Sequence, residues 1–274
     1  MEITAVRPQW VTLPDVGPEP GMRIYMVRPA DEGTYPSVLV IQEAFGLDEH
    51  IQDVTLRFAR EGYVAIAPDL FSLDQFGRTV KPQEIQDLFA LRRQIPVERR
   101  RDPAALDDEI AKLPPTQAER MRLVARWSSN RDLGQFVEPL SHVLNWARRQ
   151  PGSTGKVGIT GYCMGGGVTL QVAFAGLPVD AAAPYYGSNP PLEKANQVRC
   201  PLLLIYGRKD PFIMPGVPAL LGALLDAELD FGMHIYEDAG HAFLNDMRPD
   251  MFNPEAAADA WYLTLEFFQQ HLET

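Results

Sequence analysis

Cys163 stands between two glycines in Gly161-Tyr162-Cys163-Met164-Gly165. The apolar run Lys156-Val157-Gly158-Ile159-Thr160 leads into this segment, and Val168-Thr169-Leu170-Gln171-Val172-Ala173-Phe174 follows it. A G-x-nucleophile-x-G sequence between a strand and a helix makes a sharp turn that presents its central side chain, here with cysteine where serine is usual. Such a turn is strained. Side chains two residues before and two after the nucleophile would collide, so glycine at both places is a steric requirement. The turn also sets the sulfur at a helix N-terminus, where unpaired N–H groups and the dipole favour thiolate. The same N–H groups can hold a developing oxyanion, with that of Met164 as the first donor. The plainer alternative is an inert cysteine buried in a glycine-rich turn.

A cysteine nucleophile needs a base, and the chain offers five histidines. His50 and His142 fall on expected helices, His234 lies in an expected strand, and His271 sits near the C-terminus. Only His241, in Glu237-Asp238-Ala239-Gly240-His241-Ala242-Phe243, stands in a loop directly after a strand, where sites of open α/β folds gather. Asp210 ends Leu204-Ile205-Tyr206-Gly207-Arg208-Lys209-Asp210, again just past a strand. It would fix the imidazole tautomer and stabilise the imidazolium. Asp238 and Asp246 are rivals, but they lie too near His241 in sequence for a natural orienting role. The order nucleophile, acid, histidine is that of α/β-hydrolases.

The elements that must position these groups alternate along the chain. Short apolar runs at 36–41, 63–67, 156–160, 201–206 and 233–236 read as buried strands. Between them, Ile51, Val54, Thr55 and Phe58 recur at helical spacing before Gly62, and a helix is expected from near Leu133 to Arg149, with Pro139 in its first turn or kinking it. Asn253-Pro254 opens a last helix with Ala257, Trp261, Leu265, Phe268 and Leu272 on one face. The fold class is therefore α/β, a mostly parallel sheet covered on both faces. Trp10-Val11-Thr12-Leu13 and Met22–Val27, around Gly17-Pro18, predict an antiparallel edge hairpin before it. A single domain over 1–274 is expected, with a mainly helical insertion at about 72–135. That stretch is charged, carries Arg92-Arg93 and Arg99-Arg100-Arg101, and breaks at Pro96, Pro103 and Pro114-Pro115. Segments 83–95 and 116–127 could be helical within it. It reads as a solvated helical insertion or as a lid over a site.

Composition narrows the function. With 274 residues, 46% of them hydrophobic, the chain can bury a substantial core and is not globally disordered. Two cysteines cannot staple a secreted fold. A net charge of −11 repels polyanions, so no nucleic-acid partner is expected. No window approaches the roughly 18 apolar residues of a membrane span, and Met1–Pro8 shows no signal-peptide pattern, so cytoplasmic localisation is expected. No metal is expected either, since no His-x-x-x-His or clustered Cys/His spacing occurs. Gly165-Gly166-Gly167 lacks the surroundings of a nucleotide-binding loop, and no cofactor is implied. Cys200, Trp127, Phe136 and Trp146 read as packing residues.

The chain resembles the dienelactone hydrolase (carboxymethylenebutenolidase) family from about Pro36 to the C-terminus. The resemblance is carried by Val40-Ile41-Gln42-Glu43-Ala44-Phe45-Gly46, Gly161–Gly166, Tyr185-Tyr186-Gly187, Gly207-Arg208-Lys209-Asp210-Pro211-Phe212 and Tyr236–Phe243. It implies a Cys163-His241-Asp210 triad, a small-molecule ester or lactone substrate, and a monomer or homodimer. It also implies that Glu43 contacts the resting thiol and helps deprotonate it when substrate enters. A carboxylate beside the thiol opposes thiolate formation by like-charge repulsion. Ala44 N–H would be the second oxyanion donor, and Tyr186 and Phe45 would line the pocket. In the family, arginines hold the substrate carboxylate, one of them four residues beyond the histidine. Here that place is Asn245, the nearest arginine is Arg248, and Arg78 is a candidate for the other. Neutral Asn245 cannot form a bidentate carboxylate clamp. A general carboxylesterase or thioesterase acting on uncharged substrates, or a non-catalytic ligand-binding scaffold, is the alternative.

Overall fold

The computed structural model describes residues 5–99, 102, 104–129 and 131–273. Met1 to Thr4, and Arg100, Arg101 and Pro103 of the charged stretch, lie outside the described residues. The expected hairpin is present as β1 (Val6–Leu13) and β2 (Met22–Pro29), paired antiparallel from Leu13↔Met22 to Val6↔Pro29. Alternation along β2 sends Met22, Ile24 and Met26 to one core and Tyr25 and Val27 to the other. The hairpin adds antiparallel to β4 (Val64–Pro68), which lies parallel to β3 (Tyr35–Ile41). Next come β5 (Ser153–Tyr162), β6 (Ala181–Tyr185), β7 (Leu202–Gly207) and β8 (Phe231–Tyr236). The sheet order is β1-β2-β4-β3-β5-β6-β7-β8, parallel from β4 onward.

β6 was not expected from the sequence. Its run Ala181-Ala182-Ala183-Pro184 lacks the β-branched residues that mark a strand, and Pro184 cannot donate to a ladder. The strand is fully buried, and small side chains let helices approach it closely on both faces. Those helices are α6 (Met164–Phe174) and α8 (Pro254–Leu272). With α6, the helices α5 (Val137–Arg148) and α7 (Val217–Asp226) bury Leu140, Leu144, Val168, Leu220 and Leu224 on one side of the sheet. On the other side, α1 (Glu49–Arg60) and α8 bury Ile51, Val54, Phe58, Ala260 and Phe268. Caps fix the ends of these last two helices. Asp48 accepts from the Ile51 N–H at 3.2 Å and Asn253 from the Ala256 N–H at 3.1 Å. The buried stripe of α8 runs through Ala260 and Thr264, leaving Trp261 and Leu265 half-buried at its border.

The segment between β4 and α5 carries the helices α2 (Pro82–Gln94), α3 (Ala105–Ile110) and α4 (Pro115–Ser129). Ile85, Leu88, Ile110, Met121 and Val124 form their own apolar cluster, closed over Phe45 and Phe71. No helix of the described residues is long and apolar enough to cross a membrane.

Arg78 requires a correction. Its guanidinium donates to the carbonyls of Ser72 (2.9 Å), Glu19 (3.1 Å), Pro18 (2.6 Å) and Gly21 (2.7 Å). Three of these carbonyls belong to the irregular β1–β2 connection and the fourth, of Ser72, to the turn after β4, so Arg78 bridges the two. It fastens the hairpin to the start of the helical segment and is not free to bind a substrate carboxylate.

Candidate active site

The parallel register brings the chemistry-bearing residues together. Ile41 is level with Gly161 and Tyr162 with Tyr185, so the chain leaving β3 at Glu43-Ala44 emerges beside Cys163, with Tyr186 on its other side. Gly207 is level with Tyr236, and the loops beyond β7 and β8 carry Asp210 and His241 to the same edge.

Cys163 has φ 55° and ψ −112°, a conformation that L residues avoid and that costs on the order of 1–3 kcal/mol. The flanking glycines are required, as expected. A Cβ on Gly161 would lie 2.2 Å from the Gly165 carbonyl oxygen, and one on Gly165 would lie 2.3 Å from that of Ile41. The sulfur-bearing side chain is half-buried. As the first residue of α6, Met164 has no intrahelical acceptor for its N–H. Ala44 lies in a turn closed by Gly46 N–H to Glu43 carbonyl (3.3 Å).

His241 Nδ1 lies 2.5 Å from Asp210 Oδ2, and Cys163 is among the groups that act on its ring. Burial works against the imidazolium, but the interactions with Asp210 and Cys163 outweigh it and push His241 up to about 10. For Asp210, burial would raise the carboxyl. The imidazole and the N–H groups of Phe212 (2.9 Å) and Ile213 (3.1 Å) override that and hold it below the usual range. The rival acids are engaged elsewhere, Asp238 with Lys209 at 2.8 Å and Asp246 with Arg57 at 2.5 Å. Among the other histidines, His142 pairs with Glu138 (2.9 Å) and His50 is buried on α1.

Glu43 is fully buried. Asn245 Nδ2 donates to its Oε2 at 2.8 Å, while Oε1 has no partner. Burial, only partly offset by that bond, pushes the carboxyl up to about 7. The Asn245 amide thus faces Glu43 rather than an open clamp. Tyr186, at φ 37°, is fully buried with an unpartnered hydroxyl and sets its ring 5.2 Å from that of His241. Phe45 packs 5.5 Å from Phe89, and the Arg248 guanidinium lies 4.8 Å over its ring. A cavity of about 520 Å³ borders Phe45, Asn245 and Arg248.

Sequence reasoning missed Arg131. Its guanidinium lies 3.7 Å from the Trp127 ring centre and 4.6 Å from that of Phe71, with Nη1 3.4 Å from Met164 Sδ. Burial pushes it down to about 10, and its Nε is buried without a partner. The four-residue spacing of Trp127 and Arg131 was the available signal, but the helix ends between them. Cys200 is buried, and burial pushes its thiol up to about 12, in keeping with a packing role.

Residues 22–272 match the model of the dienelactone hydrolase family. The chain is 32% identical over 257 residues to a protein of Saccharolobus solfataricus named "Putative carboxymethylenebutenolidase", covering 91% of this chain and 94% of that one. An Escherichia coli protein of the same name is 32% identical over 262 residues, 91% of this chain and 83% of that one. Among solved structures, a dienelactone hydrolase of Klebsiella pneumoniae, itself titled putative, superposes with a TM-score of 0.71 at 30% identity, over 97% of this chain and 100% of that one. With this sheet order and these matches over nearly its whole length, the chain belongs to the dienelactone hydrolase family and is a hydrolase of the α/β-hydrolase fold.

Proposed function

We propose that the protein hydrolyses carboxylic esters or lactones with Cys163 as nucleophile, His241 as acid and base, and Asp210 as the group that orients His241. The observation that carries this reading is the strained cysteine turn together with the hydrogen-bonded His241–Asp210 pair, on whose imidazole Cys163 acts. Cys163 Sγ forms a bond to the carbonyl carbon, and the displaced electron pair rests on an oxygen between the N–H groups of Ala44 and Met164. Collapse breaks the carbon–oxygen bond, and the leaving alkoxide or enolate takes the proton from His241. Neutral His241 then removes a proton from water as the water attacks the thioester. The C–S bond breaks, the acid product is released, and the Cys163 thiolate takes its proton back from Glu43. Glu43, with one oxygen unpaired, is the acceptor for the thiol proton when substrate enters. Thiolate is itself a good leaving group, so enol esters, aryl esters and lactones suit this cycle better than amides.

Arg131 and Arg248 favour a substrate that carries a carboxylate. Each lies on an aromatic face beside an oxyanion donor's residue or its neighbour, and neither has a carboxylate within 4.0 Å among the described residues. The test is iodoacetamide labelling with peptide mapping, combined with esterase and lactonase assays on the wild type, Cys163→Ala and Cys163→Ser. Labelling of Cys163 with loss of turnover in both variants is expected, whereas activity surviving in Cys163→Ala defeats the proposal. Arg131→Ala is expected to raise KM for a carboxylated lactone on the order of ten-fold while leaving that for a neutral aryl ester within two- to three-fold. Equal effects on both substrates would instead select an esterase for uncharged substrates.

A further inference from the structure

We propose that Asn245 is a positioning residue that holds Glu43 by one carboxylate oxygen and leaves the other unpaired beside the nucleophile turn. The proposal rests on the reading of Cys163 and Glu43 given above. Asn245 is 1% exposed, and each of its polar groups is committed. Its backbone N–H bonds the Ala242 carbonyl (3.0 Å), its carbonyl takes the Arg248 N–H (3.1 Å), and its side-chain Oδ1 takes the Met247 N–H (3.2 Å). Because an N–H holds Oδ1, the amide has one orientation, and Nδ2 must face Glu43. The loop that carries it cannot drift either, since the neighbouring Asp246 is tied to Arg57 of α1. Asn245 lies four residues beyond His241, so one short loop fixes both the imidazole and the carboxylate.

A neutral donor suits this place. The groups acting on Glu43 are Asp48 at the start of α1, His241 and Arg248 on the loop after β8, Tyr162 at the end of β5, and Tyr186 after β6. An amide adds direction without adding charge to that balance. The carboxyl can then change protonation near neutrality while its oxygens stay in place.

The test is a double-mutant cycle of Asn245→Leu and Glu43→Gln, read as kcat/KM on an aryl ester between about pH 5 and 10. Asn245→Leu keeps the shape and removes the donor. It is expected to lose on the order of ten- to hundred-fold, and to add nothing further in the Glu43→Gln background. The limb of the pH profile that Glu43→Gln abolishes is expected to move to higher pH in Asn245→Leu, because the carboxylate has lost a stabilising bond. Losses that multiply in the double variant, or an unshifted profile, would overturn the proposal. Asn245→Ala, smaller and also without a donor, takes the place of the leucine variant should that fail to melt cooperatively. If Cys163→Ala retains activity, the nucleophile reading is what fails. If Cys163→Ala is inert and Asn245→Leu behaves as wild type, only the role of Asn245 is lost.

Discussion

Cys163, His241 and Asp210, the residues proposed for catalysis, could be singled out one at a time in the sequence because each carries its own local signature. A glycine-flanked turn and two loops just past strand ends are visible without knowledge of distant contacts. Asn245 and Arg131 carry no such signature. The first matters through a bond to a residue 202 positions away, the second through contacts made by aromatic rings and a methionine sulfur. Residue chemistry also sets the pH response. In the proposed cycle Glu43 must be ionised to accept a proton, and His241 must hold one to release a leaving group. The expected kcat/KM profile therefore rises through about pH 7, falls near about 10, and loses its lower limb in Glu43→Gln. A rate independent of pH across that range would contradict both assignments.

Among the elements, those with strong periodicity or β-branched runs were legible, and those shaped by their neighbours were not. β6 reads as alanine and proline because α6 and α8 press on it, a demand set by tertiary packing. Arg78, a candidate for the substrate carboxylate, is instead held by the carbonyls of Pro18, Glu19, Gly21 and Ser72, a set of distant contacts that the sequence does not reveal. Arg78→Ala is expected to lower stability by about 1–3 kcal/mol in denaturant titration with KM unchanged. A selective rise in KM for carboxylated substrates would restore its substrate-binding role. The crossing of α6 over β3 is less forgiving. Gly165→Ala would drive a methyl group into the Ile41 backbone and is expected to leave little soluble folded enzyme, which circular dichroism would report.

For the molecule as a whole, the mostly parallel α/β sheet and its edge hairpin followed from alternation along the chain, but its polar interior did not. Glu43 takes its proton at a higher pH when folded than when unfolded. The native state therefore holds the extra proton between about 4.5 and 7, and stability falls as pH rises through that window. Glu43→Gln is expected to be more stable than wild type above pH 7, on the order of 3 kcal/mol, with the gain vanishing near pH 4.5 in thermal melts. Burial pushes His50 down to about 4, so it acts with the opposite sign, and stability is lost as pH falls from 6.5 toward 4. A last consequence comes from the cluster formed by α2, α3 and α4, which meets the rest of the protein at Phe45 and Phe71. A part seated on two aromatic rings can be exchanged between relatives like a fitting on a common mount. On the proposed reading, changes in that part would alter substrate preference and leave Cys163, His241 and Asp210 in place.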